Sequence, residues 1–378
     1  MHDSREQPAS AIRTMGAPRR VMHFVTGGFS GATQVAVDLC HAARAPGSGM
    51  EAILVLRRKR NTDEARLQAL RDKGLTVYVV PGWSHLATIW ALFRLCRQLQ
   101  PDQLVAHGFS EHLWGRYAGL LAGVRTLVHI EHNSRERYTR WRLAQARWLA
   151  ERTALLIGVS EGVRGRLIEL GFPAQKCVAV PNGIDLSRFA RADEHPFEQR
   201  TAGIVMSARF ARQKDHLTLI RAVDLLAKRG LRLPLMLAGS GKEGYRRAAE
   251  ALVKQLGLEP QVRFLGHHGE MPQLLMSQAV CVLSTHYEGM PLALVEGMAA
   301  GCACIASDVV GVSEVIEKDV TGILVPEGDP VALADALERV FSEPGLGERL
   351  ARAARQRALQ EHGLELMRLR YQALLTGL

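Results

Sequence analysis

A chain of 378 residues with 47% hydrophobic and 23% charged content is long enough for two domains with real cores. No apolar run approaches the ~20 residues that a membrane span requires, and Asp3, Arg5 and Glu6 precede any apolar segment, so a secretion signal is not expected and the cytosol is. A formal net charge of +10 implies an acidic partner, which nucleic acid, an anionic membrane or a phosphorylated substrate would all satisfy.

Residues 1–20 are polar and aperiodic and end in Pro18-Arg19-Arg20, which predicts a disordered arm with Met15 as an alternative start. Val21 to Thr26 reads as a first strand, Gly27 to Gly31 as a tight loop and Ala32 to Arg44 as a helix, the way a phosphate-binding α/β domain opens. The loop lacks GxGxxG spacing, so in isolation a plain strand-to-helix turn explains it as well. Strand patterns recur at Ala52–Leu56, Thr76–Val80, Gln103–His107, Thr126–Ile130 and Ala154–Val159, with helical patterns between them. Such alternation predicts a parallel doubly wound sheet with ligands at the carboxyl ends of its strands. His107 and His132 stand at two of those ends, where a lone histidine is commonly just a loop residue.

Two helices in this half carry tryptophan beside arginine. Leu86–Leu99, preceded by Trp83, holds Trp90, Phe93, Arg94 and Arg97. Thr139–Glu151 holds Trp141 and Trp148 at i, i+7, with Arg140, Arg142, Arg147 and Arg152 around them. This composition suits a helix lying on an anionic bilayer, and it suits equally an amphipathic helix with its aromatic side inward and its arginines solvated. Six scattered cysteines (Cys40, Cys96, Cys177, Cys281, Cys302, Cys304) lack metal-ligand spacing and read as reduced packing residues.

Pro181-Asn182-Gly183-Ile184-Asp185 forms a turn leaving the first domain, and the charged, irregular residues 186–200 make a boundary. The alternation then restarts with Gly203–Ser207. Arg209 and Lys214 follow on a loop entering a helix near Asp215, where cations oppose the helix dipole unless an anion lies between them. Gly239-Ser240-Gly241-Lys242-Glu243-Gly244 is a literal GxGxxG after the strand Leu235–Ala238. Its mid-chain position, and the lack of an acid ending the next strand Val262–Gly266, weigh against a nicotinamide domain. Ala279–Leu283 reads as a buried strand, and Pro291 opens a helix that is apolar nearly all round except for Glu296, whose carboxylate needs a partner or a shifted pKa. Glu288 lies just before the start of that helix, where free N–H groups suit a phosphate. Further on, Cys304–Ser307 and Gly322–Val325 read as strands, with helices at Pro330–Phe341 and Gly347–Leu375.

Glu288, seven intervening residues, Glu296, the interposed Gly289 and Pro291 and the closing Ala299-Ala300-Gly301 resemble the signature of retaining family 4 glycosyltransferases of the GT-B fold, which use nucleotide-sugar donors. The resemblance covers nearly the whole chain after the arm. It implies two Rossmann-like doubly wound α/β domains facing a central cleft: residues 21–185, joined by a C-terminal helix at 360–378, and residues 186–359. It also implies roles for residues that match. Glu288 and His132 would stand at the reacting sugar. Arg209, Lys214, the glycines Gly27 and Gly28 and the N–H groups of Leu292 and Ala293 would hold the donor diphosphate, while Glu296, Arg263 and Leu265 would hold ribose and base. His107 would help to shape the acceptor side. Two departures stand out: no acid follows Gly27-Gly28, where Ala32 and Thr33 stand, and Val310 replaces the first glycine of the Gly-Gly-x-x-Glu loop ending at Glu314. No Asp-x-Asp pair ends a strand, so neither a metal nor a separate cofactor is expected, and the nucleotide-sugar enters as substrate. The expected partners are that donor, a glycan or lipid-linked saccharide acceptor and an anionic membrane surface at the inner face of the cytoplasmic membrane, and not nucleic acid. The alternatives are a GT-B sugar-nucleotide epimerase, a dinucleotide-dependent oxidoreductase and a membrane-associated scaffold.

Overall fold

The computed structural model describes residues 18–60, 62–135 and 138–378. The expected arm thus lies outside the described residues as far as residue 17, and Arg19 and Arg20, assigned to it, already form the start of a strand.

Apolar runs buried on both faces require a sheet covered on both sides, which parallel strands joined by helices provide. In the first domain the strands β1 (Arg19–Thr26), β2 (Met50–Arg57), β3 (Thr76–Val80), β4 (Gln103–His107), β5 (Thr126–Glu131), β6 (Leu155–Gly158) and β7 (Cys177–Ala179) pair in parallel in the order β3-β2-β1-β4-β5-β6-β7. Between them run α1 (Gly31–Ala42), α2 (Glu64–Asp72), α3 (His85–Leu99), α4 (Phe109–Ala122), α5 (Arg140–Glu151) and α6 (Glu161–Glu169). The strand order reverses direction after β3, so right-handed crossovers place α1 and α2 on one face and α3 to α6 on the other. The core follows that division: Ala36, Cys40 and Leu67 pack with Val25 and Leu54, whereas Leu92, Cys96 and Ala118 pack with Met22, Phe24 and Ile53. The switch point lies between β1 and β4, and their carboxyl ends are where ligands are expected.

The second domain repeats the plan with β8 (Thr201–Ser207), β9 (Leu235–Ala238), β10 (Val262–Gly266), β11 (Gln278–Leu283), β12 (Ala303–Ser307) and β13 (Ile323–Val325) in the order β10-β9-β8-β11-β12-β13. Its helices are α7 (His216–Lys228), α8 (Glu243–Gln255), α9 (Met271–Ser277), α10 (Leu292–Ala299), α11 (Pro330–Ser342) and α12 (Leu346–Glu361). Asp215 caps α7 by accepting from Thr218 N, and Asp329 caps α11, whose first residue is Pro330.

The helix predicted from Gly347 to Leu375 is two helices. It breaks at His362-Gly363, and α13 (Leu364–Thr376) returns to the first domain, where Arg19 and Gln103 donate to the Leu375 carbonyl at 3.1 and 2.7 Å. The break exists because the chain crosses here. Ile184 N donates to the His362 carbonyl at 2.9 Å, and Leu364 N donates to the Ile184 carbonyl at 2.8 Å. A Cβ on Gly183 would lie 2.5 Å from the Gly363 carbonyl oxygen, so the Pro181–Asp185 turn needs its glycine where the two crossings touch. All six cysteines are free and buried, as packing residues.

Candidate active site

One wall of the cleft is built where β11 ends. The chain turns through Tyr287 to Met290, and α10 begins after Pro291, which stands just ahead of the helix rather than within its first turn. Glu288 is only 6% exposed, and a carboxylate so placed needs donors. Oε1 receives the Lys214 ammonium and Thr285 Oγ1 (2.9 Å), and Oε2 receives Gln213 Nε2 (3.2 Å). Gln213 Nε2 also donates to the Tyr287 carbonyl at 2.6 Å, and an antiparallel bridge joins Lys214 to Thr285, so backbone and side chains fix the same geometry. Arg209, on the loop after β8, is exposed and has no hydrogen-bond or ion-pair partner among the described residues. A guanidinium beside a Lys–Glu pair presents a fork of donors suited to phosphate.

The facing wall is built from neutral imidazoles. His132 follows β5, and its Nε2 meets His107 Nδ1 at 3.2 Å, while His107 Nε2 meets His23 Nδ1 at 3.0 Å. Burial holds the column neutral: it lowers His132 to about 3 and His23 to about 4, and puts His107 well below its ordinary value. Neighbouring histidines add to the effect on His107 and His132. A neutral imidazole has one donor and one acceptor nitrogen, so the tautomers of the three rings are tied together. The Glu131 carboxylate accepts the backbone N–H groups of His132 (2.8 Å) and Asn133 (3.2 Å), fixing the turn after β5.

Beside this column, His112, His129 and Glu131 place three ligand-type atoms within 4.8 Å of one another. However, Arg116 Nη2 donates to His112 Nδ1 at 2.6 Å, and Tyr138 Oη lies 2.7 Å from His112 Nε2. Both nitrogens of His112 are therefore engaged, and the buried guanidinium offsets the Glu131 carboxylate. A divalent ion would enter against that guanidinium, so the donor set fits a metal poorly.

The walls touch. Ser134 Oγ donates to the Glu288 carbonyl at 2.5 Å, and a Cβ on Gly289 would lie 2.0 Å from the His132 carbonyl oxygen, so only glycine fits there. Glu314 makes a second contact between the domains: its two carboxylate oxygens accept Glu161 N (2.7 Å) and Gly162 N (2.6 Å) at the start of α6, where a carboxylate also meets the positive end of the helix. The loop ending at Glu314, in which Val310 replaces a glycine, thus has a bridging role. The cleft between the walls encloses about 440 Å³.

Glu288, His132, Arg209, Lys214, Leu292 and Ala293 all line this cleft. Leu292 N turns back to the Met290 carbonyl at 3.1 Å. Gly27 and Gly28 do not line it; Ser30, Gly31 and Ala32 do. Gly27 instead packs on β2, where a Cβ would lie 2.6 Å from the Arg57 carbonyl oxygen. Glu296 lies further along α10, 3.7 Å from Arg188, with its carboxyl pushed up by burial and partly restored by that arginine. Arg263 and Leu265 also lie outside the lining, and Arg263 is exposed. His107 is 1% exposed inside the column, so it meets other residues through His23 and His132 and not an open surface. Gly239 and Gly241 press against the backbones of Ala208 and Phe210, which accounts for the GxGxxG glycines without a dinucleotide. Sequence reasoning missed His23, Gln213 and Thr285. His23 carries no local signal, whereas Gln213 and Thr285 adjoin Lys214 and the Glu288 loop and could have been found there.

Two Rossmann-like domains meeting at a cleft with one cationic and one imidazole wall make up a GT-B fold. A "Glycosyltransferase Family 4" model matches residues 29–188 and a "Glycosyl transferases group 1" model matches residues 188–357, and the chain belongs to this family. Among its relatives is UDP-Gal:alpha-D-GlcNAc-diphosphoundecaprenol alpha-1,3-galactosyltransferase of Escherichia coli, 26% identical over 68% of this chain and 71% of that one. The putative colanic acid biosynthesis glycosyltransferase WcaL of Escherichia coli is 30% identical over 65% of this chain and 62% of its own length. The fold matches that of Anabaena HepE crystallised with UDP and glucose, with TM-score 0.82, 20% identity, and coverage of 95% of this chain and all of that one.

Proposed function

We propose that this chain is a retaining, metal-independent glycosyltransferase that moves a sugar from a UDP-sugar to a lipid-linked glycan acceptor in cell-surface polysaccharide or lipopolysaccharide assembly. The observation that carries this is the Lys214–Glu288 pair set beside Arg209, which has no partner among the described residues, in the cleft opposite His132. Lysine has three N–H donors, so Lys214 can hold Glu288 and a phosphate oxygen together. Arg209 adds a bidentate fork, and Ala293 N at the start of α10 adds a further donor. Between them these groups offset the charge of a departing diphosphate, which is the work that a metal does elsewhere. Glu288, held by Thr285 and Gln213, then binds hydroxyls of the donor sugar and stabilises oxocarbenium-like charge. His132 meets the sugar from the other wall as a neutral group. Glu296 takes the ribose, and the segment from Arg263 to Leu265 takes the base. The acceptor attacks on the face that the leaving group departs from, giving retention.

The Escherichia coli galactosyltransferase, named for UDP-Gal and a diphosphoundecaprenol acceptor, supports a UDP-sugar donor and an acceptor on a polyprenyl diphosphate, and HepE crystallised with UDP supports the nucleotide. No described helix is long and apolar enough to cross a membrane. The first domain nevertheless exposes Trp83, Leu86, Trp90 and Trp141, with Arg94 stacked on Trp90, and this surface suits peripheral contact with an anionic bilayer on the cytoplasmic side. A thermal-shift panel of UDP-, GDP- and ADP-sugars tests the donor: stabilisation by a UDP-sugar is expected, and stabilisation by none of them would overturn the reading.

A further inference from the structure

The first domain holds a second polar cluster, one strand away from the Gly27–Gly31 loop: Gly27 N donates to the Arg57 carbonyl at 2.8 Å. Arg57 ends β2 and is 5% exposed. Its Nη1 lies 3.5 Å from Glu111 Oε1, and its Nη2 lies 3.3 Å from the Gly82 carbonyl and 3.2 Å from His85 Nδ1. Lys59 reaches the same Glu111 oxygen at 3.2 Å. His85 begins α3 and Glu111 stands in the first turn of α4. Arg142, in the first turn of α5, acts with Arg57 and Lys59 to disfavour a charge on His85, a ring already partly desolvated.

Two cations, Arg57 and Lys59, thus share the one Glu111 carboxylate, and Arg142 bears on the same His85, at the positive ends of three helices that add to the same potential. The Arg142 side chain has no hydrogen-bond or ion-pair partner among the described residues. Two buried donors in the cluster, Arg57 Nε and Trp114 Nε1, have no hydrogen-bond acceptor among the described residues, and Trp114 stacks on His85 with ring centroids 4.3 Å apart. Because a guanidinium only donates, His85 Nδ1 accepts from Arg57, which places the ring proton on Nε2 and makes that nitrogen another donor. Surplus cations and orphaned donors are costly together, and an anion with several acceptor oxygens relieves both. Trp83 and Leu86, two residues before and one after His85, and Trp141, next to Arg142, are 84%, 78% and 72% exposed, so the chain on either side of the cluster presents apolar surface.

The geometry points to an anion subsite, formed by Lys59, His85 and Arg142 over buried Arg57, that takes the phosphate or diphosphate joining an acceptor saccharide to its lipid, with the lipid chain along that apolar surface. This assignment rests on the transferase reading above and adds the chemical class of the acceptor's anchor. Lys59 and Arg142 are not fully buried, so the double variant Lys59→Ala/Arg142→Ala is expected to fold, and its stabilisation by a UDP-sugar, equal to the wild type's, checks this. The test is calorimetric titration of the full chain, saturated with UDP, with farnesyl diphosphate and with inorganic pyrophosphate. The double variant binds both at least tenfold more weakly than the wild type, since each lost charge-assisted contact is worth about a factor of ten. Acceptor-free vesicles of phosphatidylglycerol, which offer only lipid headgroups, bind both proteins alike. Equal diphosphate affinity in the two proteins, or a loss confined to the vesicles, overturns the subsite. A wild type that binds diphosphate but is stabilised by no nucleotide-sugar breaks the transferase reading instead.

Discussion

On the wall of the second domain charge is kept: Glu288 and Lys214 meet as an ion pair that is mostly buried, and Arg209 stands open beside them. On the wall of the first domain charge is excluded, since burial drives the His132, His107 and His23 imidazoles to the neutral form. The difference teaches how one cleft can serve two ends of a donor. A diphosphate needs cations, and their partners must survive in low dielectric, so the second wall supplies carboxylate and amide counterparts within hydrogen-bond reach. A sugar hydroxyl needs a donor or an acceptor of fixed sense but not a charge, and a stack of hydrogen-bonded neutral rings supplies one.

Breaking the charged wall has the largest expected effect. Lys214→Ala removes the cation shared by Glu288 and the proposed diphosphate and leaves a buried carboxylate short of a partner, so turnover falls about 10²- to 10³-fold in a steady-state transfer assay. A fall below threefold would put the diphosphate elsewhere.

The neutral wall gives a smaller effect. His107→Phe keeps the volume of a buried ring but cuts the link from His23 to His132. Loss of such a supporting partner is worth roughly 10- to 100-fold, here expected in kcat with little change in the donor KM. Nitrogen-15 spectra of the His132 ring should show one tautomer in the wild type and a mixture in the variant. An unchanged His132 spectrum would mean that the column is only packing.

Smallest, and independent of activity, is the effect of pH on stability. A buried imidazole with a lowered folded pKa binds fewer protons than the unfolded chain once pH falls below about 6.5, so stability is complete above that value and is lost as pH falls towards the folded value. For His23 and His132 the window runs down to about 4 and about 3. Each contributes a slope approaching roughly 1.4 kcal/mol per pH unit below pH 6. Melting temperature should therefore fall steadily from pH 7 to 5, and less steeply in a His23→Phe variant. Parallel curves for the two proteins would show that His23 is not held neutral by the fold.

What the sequence disclosed follows the same division. The charged wall was legible because Arg209, Lys214 and Glu288 sit in short segments between a strand and a helix and match the motif of the resembled family; local chemistry alone explained them equally well as solvated residues. The doubly wound fold was legible for a similar reason, since each βα unit announces itself by its own periodicity. The imidazole wall was half legible: His107 and His132 stand at predicted strand ends, but the column needs β1, β4 and β5 to lie side by side, which joins His23 to a residue 84 positions away. Glu314 capping α6 from across the cleft was hidden by a still longer separation. Arg57, Lys59 and Arg142 were hidden differently, as ordinary members of a set of 48 lysines and arginines until the helix starts brought them together. The return of the C-terminal helix to the first domain was expected from the resemblance, but the break at Gly363 was missed because helical periodicity runs through it, and its pairing with Ile184 marks where the chain crosses.

The most direct test of the charged wall is Glu288→Gln, which keeps the shape and one acceptor oxygen but removes the negative charge. With UDP-sugar affinity measured by calorimetry and transfer measured at donor saturation, donor binding should stay within a fewfold of wild type while transfer falls at least about 100-fold. Transfer near the wild-type rate with normal donor binding would contradict the placement of Glu288 at the reacting sugar.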